Sequence, residues 1–145
     1  MVCTFFGHRE VQNSGEIKEK LNITIRRLIE NDGVTTFYVG NNGSFDRLVL
    51  ETLREVSKEY KINYTVVLAY IDFNKEHYDY ESRETLYPEN LEKTPLRFAI
   101  DKRNRFMIEK SDIAVSYINK SIGGAAKQVE LCEKKGLKII NLGKI

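Results

Sequence analysis

A chain of 145 residues that is 41% hydrophobic and 30% charged is long enough to bury one core, too short for two ordinary domains, and too apolar to stay disordered. Its net charge of +2 and pI near 8.4 fall short of the concentrated basicity of a dedicated nucleic-acid binder, so nucleic acid is disfavoured and left open. No stretch approaches the roughly eighteen apolar residues of a spanning helix and the start lacks the pattern of a secretory leader, which sets the expectation of a cytoplasmic protein with no membrane partner.

Val2-Cys3-Thr4-Phe5-Phe6 reads as a first strand, broken at Gly7-His8-Arg9. Ile17, Leu21, Ile25, Leu28 and Ile29 then recur at helical spacing, and Asn31-Asp32-Gly33 supplies a stop with glycine near the C-terminal cap. Thr36-Phe37-Tyr38-Val39 is a β-rich run that ends in Gly40-Asn41-Asn42-Gly43, with Ser44 expected as the N-cap of a second helix traced by Phe45, Leu48, Val49, Thr52 and Val56. Residues 64–70 are nearly continuous in β-branched and apolar side chains, the pattern of a strand covered on both faces. Across residues 71–97 the periodicity dissolves into charges, tyrosines, Pro88 and Pro95; so long a connection is either functional or hides an element. Residues 98–110 read as a helix, 113–118 as a strand, 125–135 as a helix ended by Gly136, and 138–142 as a last strand.

Strands alternating with helices through short loops argue for an α/β fold, a doubly wound parallel five-stranded sheet in a single domain over residues 1–145, with strand order 3-2-1-4-5 and right-handed crossovers. Cys3 and Cys132 lie far apart, form no CxxC and sit in apolar surroundings, so both are expected as reduced core thiols. No metal site and no cofactor are expected, and self-association is left open.

Three strands run into glycine-bearing loops, Gly7-His8-Arg9, Gly40-Asn41-Asn42-Gly43-Ser44 and Ser121-Ile122-Gly123-Gly124-Ala125-Ala126. In an open parallel sheet such loops share the carboxyl edge, where ligands bind at the topological switch point. Glycine permits close backbone approach and the helix N-termini that follow offer N–H groups and a positive dipole end, an arrangement suited to phosphate. Gly7, His8, Arg9, Gly40, Asn41, Asn42, Gly43, Ser44, Gly123, Gly124 and Ala125 are therefore the expected ligand-binding residues, with Arg9 or Arg103 neutralising charge. Tyr70, Tyr78, Tyr80 and Tyr87 either stack a base or, the favoured reading, anchor their segment by packing, and residues 71–97 are expected as a partial lid that carries Tyr78, Tyr80 or Tyr87 to the pocket.

These segments resemble the SLOG superfamily, the Rossmann-like proteins that include the Lonely Guy phosphoribohydrolases, the DNA-processing protein A family and small YpsA-like proteins. "CTFFGHRE" is similar to the first strand and loop of YpsA-like members, and "FYVGNNGSFDRLVLETL" to the second strand, glycine loop and helix. "DKRNRFMIEKSDIAVSYI" is similar to the Arg-Asn-Arg helix and next strand of the DNA-processing family, and "GGAAKQVE" to the GGxGTxxE signature of Lonely Guy proteins, with Gly123, Gly124 and Glu130 in register and Ala126 and Lys127 in place of its glycine and threonine. Over nearly the whole chain, the resemblance implies a pocket for a nucleotide or nucleotide-derived molecule. It also implies two alternatives. One is an N-glycosidic hydrolase, in which Glu130 stabilises ribosyl cationic charge or activates water and Arg103 holds the 5'-phosphate; the other is single-stranded DNA binding through the Arg-Asn-Arg helix, against which the modest net charge counts.

Overall fold

The structure, a computed structural model, describes residues 1–70, 85–89 and 91–143. Strands β1 (Val2–Gly7), β2 (Thr36–Val39), β3 (Asn63–Val67), β4 (Thr85–Leu86), β5 (Ile113–Tyr117) and β6 (Lys138–Asn141) form one sheet in the order β4-β3-β2-β1-β5-β6, every pair parallel. The α-helices among the described residues are α1 (Ser14–Asp32), α2 (Ser44–Val56), α3 (Leu96–Lys110) and α4 (Gly124–Lys134), with one turn of 3-10 helix at Leu91–Lys93. The α/β class and the order of the five expected strands hold; the strand count does not. A sixth strand, Thr85–Leu86, pairs with Val66 and Val67 at the edge, and two residues are too few to carry a periodicity that sequence reading can find. The long connection thus hides an element.

Alternation along the strands explains the layers. Cys3, Phe5, Phe37, Val39, Val66, Ile113, Val115 and Tyr117 point to one side of the sheet, into a cluster completed by Ile17, Leu21, Ile25 and Leu28 of α1 and Phe45, Val49, Leu53 and Val56 of α2. The intervening Phe6, Val67 and Ala114 point to the other side and pack with Met107 and Ile108 of α3 and Cys132 of α4. Both cysteines are free and buried, as the sequence suggests. Burial pushes the Cys3 thiol far above its ordinary range and the Cys132 thiol up to about 11.

Local signals set most boundaries. Gly33, with φ +69°, ends α1 and donates its N–H to the Leu28 carbonyl. At α2 the expected N-cap moves back one residue. Gly43 (φ +105°) holds the cap position and Ser44 is the first helical residue. A Cβ on Gly43 would lie 2.6 Å from Arg9 Cα, and the Ser44 N–H donates to the Arg9 carbonyl at 2.7 Å. This contact ties the loop after β1 to the start of α2.

The chain winds outward from β1 through β2 and β3 to β4, then returns by α3 to β5 on the other side of β1. The direction of winding reverses between β1 and β5, which stay paired to their carboxyl ends, Gly7 with Tyr117; the chain beyond β1 leads to α1 on one face and the chain beyond β5 to α4 on the other, which leaves a crevice above the pair.

Candidate functional site

A cleft of about 610 Å³ occupies that crevice. Its floor is Phe5, Phe6, Gly7 and Tyr117; α3 supplies Ile100, Arg103, Asn104 and Met107; Gly123, Gly124, Ala125 and Gln128 of the α4 start form the opposite wall. Arg9, Lys120 and Ile122 stand exposed at the rim.

The loop after β1 is held from below. His8 donates its N–H to the Tyr117 carbonyl at 3.3 Å, and its Nε2 accepts the Asn119 N–H at 3.0 Å. A backbone N–H always donates, so Nε2 carries no proton here and the neutral ring presents Nδ1–H. Partial burial, and secondarily the Lys120 charge, lower the His8 pKa from its ordinary value of 6.5. The ring stands edge-on to Tyr117, which lies nearly parallel to Phe45 of α2. Gly7 serves this stack: a Cβ there would meet the Phe45 ring at 2.3 Å. The glycine that the sequence assigns to ligand approach makes room for α2, while still lining the cleft.

The second glycine loop turns inward. Arg103 is 2% exposed. Its Nε donates to Asn104 Oδ1 at 2.8 Å, Nη1 to the Val67 carbonyl at 3.0 Å and to Asn41 Oδ1 at 3.2 Å, and Nη2 to Asn42 Oδ1 at 2.9 Å. Gly40 lies against this guanidinium, because a Cβ on it would sit 2.9 Å from Arg103 Cζ and 2.9 Å from Asp46 Oδ2. Asp46 also accepts the Asn42 N–H at 2.9 Å, and desolvation raises its carboxyl to about 6 against the opposing pull of Arg103 and that hydrogen bond. Arg103 and Asn42 line the cleft; Gly40, Asn41, Gly43 and Ser44 are outside its lining. The loop is therefore a scaffold that Arg103 locks onto β3 and α3.

The third loop faces the cleft. Gly123 (φ +115°) occupies the N-cap of α4, where it brings no side-chain hydrogen bond and where the first turn holds no acidic residue. The first bond across the helix start runs from the Lys127 N–H to the Gly123 carbonyl, which leaves the Gly124, Ala125 and Ala126 N–H groups at the free positive end of the helix. Beneath them Gln128 is 4% exposed. Its Nε2 donates to Asp101 Oδ1 at 3.0 Å, while among the described residues its buried Oε1 has no hydrogen-bond partner.

Of the residues expected at the site, Gly7, His8, Arg9, Asn42, Arg103, Gly123, Gly124 and Ala125 converge on one cleft. Glu130 is exposed on α4 and is outside the lining. Tyr87 packs against the α1/α2 core; Tyr78, Tyr80 and the rest of residues 71–84 of the expected lid lie outside the described residues. Sequence reading passed over Asp46, Gln128 and Asn119, all cleft residues, and over Asn141. The Asn141 Oδ1 accepts from the Ile118 N–H, the Gly143 N–H and Ser116 Oγ, which fixes the turn after β5. For Gln128 a signal existed: a polar side chain one helical turn beyond a glycine pair faces the same way as the helix start. Among the described residues no three metal-ligating side chains converge. Neither a protein-family model nor a curated protein matches this chain.

Proposed function

We propose that the cleft binds a nucleotide or nucleotide-derived molecule, with its phosphate on the N-terminus of α4, and that the likeness to the SLOG superfamily reflects this shared use of the sheet edge. The observation that carries the reading is the uncapped start of α4 at the topological switch point, with the Gln128 Oε1 in the same wall buried and without a hydrogen-bond partner among the described residues. Lys120 and Arg9 stand at the rim, and His8 offers a neutral N–H donor. Arg103 positions the neighbouring loop and stabilises the wall rather than serving as the primary phosphate ligand, because its Nε, Nη1 and Nη2 already hold internal acceptors. Binding ranks above N-glycosidic hydrolysis, since Glu130 is exposed and outside the cleft lining.

Isothermal calorimetry with AMP, GMP, ribose 5-phosphate and NAD, on the wild type and on Gly124→Asp, tests the reading. A Cβ at Gly124 meets nothing within 4 Å, and an acid in the first turn suits the helix dipole, so the variant is expected to fold and to lose anion binding. Undiminished affinity in the folded variant, or no binding of any of these to wild type, overturns the proposal.

A further inference from the structure

Gln128 carries the most specific information in the cleft. It is a buried amide with one end satisfied and the other, among the described residues, without a partner. Its orientation is dictated, because Asp101 Oδ1 is an acceptor and flipping the amide would set Oε1 against a carboxylate oxygen. Asp101 is itself held by Arg105, whose Nε lies 3.4 Å from its other oxygen. The lone acceptor is therefore fixed. A buried acceptor without a donor is costly to the free protein, and a cost of that kind is recovered when a ligand supplies the missing hydrogen.

From Gly124 at the first position of α4 to Gln128 is about one helical turn, on the order of 5–6 Å along the axis. Resting on the nucleotide reading, the geometry points to Gln128 as the specificity-determining residue, which selects an anionic ligand bearing a neutral hydrogen-bond donor, a hydroxyl or an amino group, about one helical turn from its phosphate. A ligand lacking that donor leaves Oε1 buried and unpaired, so the wall rejects it more strongly than the loss of one solvent-exposed hydrogen bond would. Asp101 is a positioning residue: it holds the amide and needs no contact with the ligand.

The test is a cycle that removes the donor from the ligand and the acceptor from the protein. AMP, its 2'-deoxy and 3'-deoxy analogues and the analogue lacking the 6-amino group are titrated against wild type and Gln128→Met, a change that keeps the bulk and removes the acceptor. Wild type is expected to bind one of the three donor-deleted analogues roughly 10-fold or more weakly than AMP; which one it is separates a sugar hydroxyl from a base amine. Gln128→Met is expected to bind AMP weakly and to lose that discrimination, with a melting temperature no lower than that of wild type, since Asp101 is partly exposed and water replaces the lost amide. Equal affinity of wild type for all four ligands overturns the assignment without touching the nucleotide reading. So does discrimination that survives intact in Gln128→Met. Wild type that binds none of the four overturns the assignment, and failure of GMP, ribose 5-phosphate and NAD to bind as well overturns the nucleotide reading with it.

Discussion

At Gly7 the missing side chain is used by the protein itself. Phe45 fills the space a Cβ would need, and Tyr117 stacks on that ring, so the cleft floor and the seating of α2 depend on one hydrogen atom. Gly7→Ala is expected to lower stability by about 2–3 kcal/mol through overpacking, and Phe45→Ala by about 3–5 kcal/mol through the cavity it leaves. Together they should cost much less than the sum, because the truncated ring no longer meets the new methyl. Urea unfolding of the two single variants and the double measures this; strict additivity would refute the steric account. A sequence shows that a glycine breaks a strand. It does not show whether the vacated volume belongs to a ligand or to a ring that arrives from a helix later in the chain, which is why Gly7 and Gly40 were legible as important and illegible in role.

Among the elements, α3 does more than cover the sheet. Through Arg103 it reaches across to the Val67 carbonyl on β3 and to the Asn41 and Asn42 side chains of the loop before α2. Three separate segments meet on one planar cation. Arg103→Lys keeps the charge and loses the fork, so it is expected to lower stability by about 3 kcal/mol or more in chemical denaturation and to speed hydrogen exchange in the loop. Unchanged stability with abolished nucleotide binding would return Arg103 to direct ligand contact. The Arg-Asn-Arg segment draws attention to Arg103 in the sequence, but its role depends on partners contributed by β3 and a distant loop. The same limit hid β4, because pairing of Thr85 and Leu86 with Val66 and Val67 is a property of the assembled edge and not of a dipeptide. By contrast the order of the other strands followed from connectivity alone, since short βα loops and parallel pairing leave few arrangements.

Across the whole molecule, two groups at the cleft give stability opposite dependences on pH. His8 has its pKa lowered by folding, so between that lowered value and 6.5 the unfolded chain binds more protons and stability rises with pH. Asp46 is raised by folding from 3.8 to about 6; in that window the folded chain binds more protons, and stability falls as pH rises. Asp46→Asn removes the second effect. Denaturation midpoints between about pH 4 and 7 should therefore show the variant gaining on wild type up to about pH 6 and running parallel to it above. Parallel curves throughout would mean that Asp46 is ionised in the fold at its ordinary pKa.

Cys3 lies fully buried at the centre of the sheet on β1, and Cys132 lies buried on α4, the last helix of the chain, which covers the opposite face of the sheet. A thiol is alkylated only when its sulfur meets reagent as thiolate, so the two cysteines divide the chain into an inner and an outer clock. Peptide mass spectrometry after iodoacetamide pulses should find Cys132 labelled first, through partial openings of the last helix, and Cys3 labelled only when β1 leaves its neighbours β2 and β5. Without any introduced probe, the chain then reports in one experiment how often its periphery loosens and how rarely its centre comes apart.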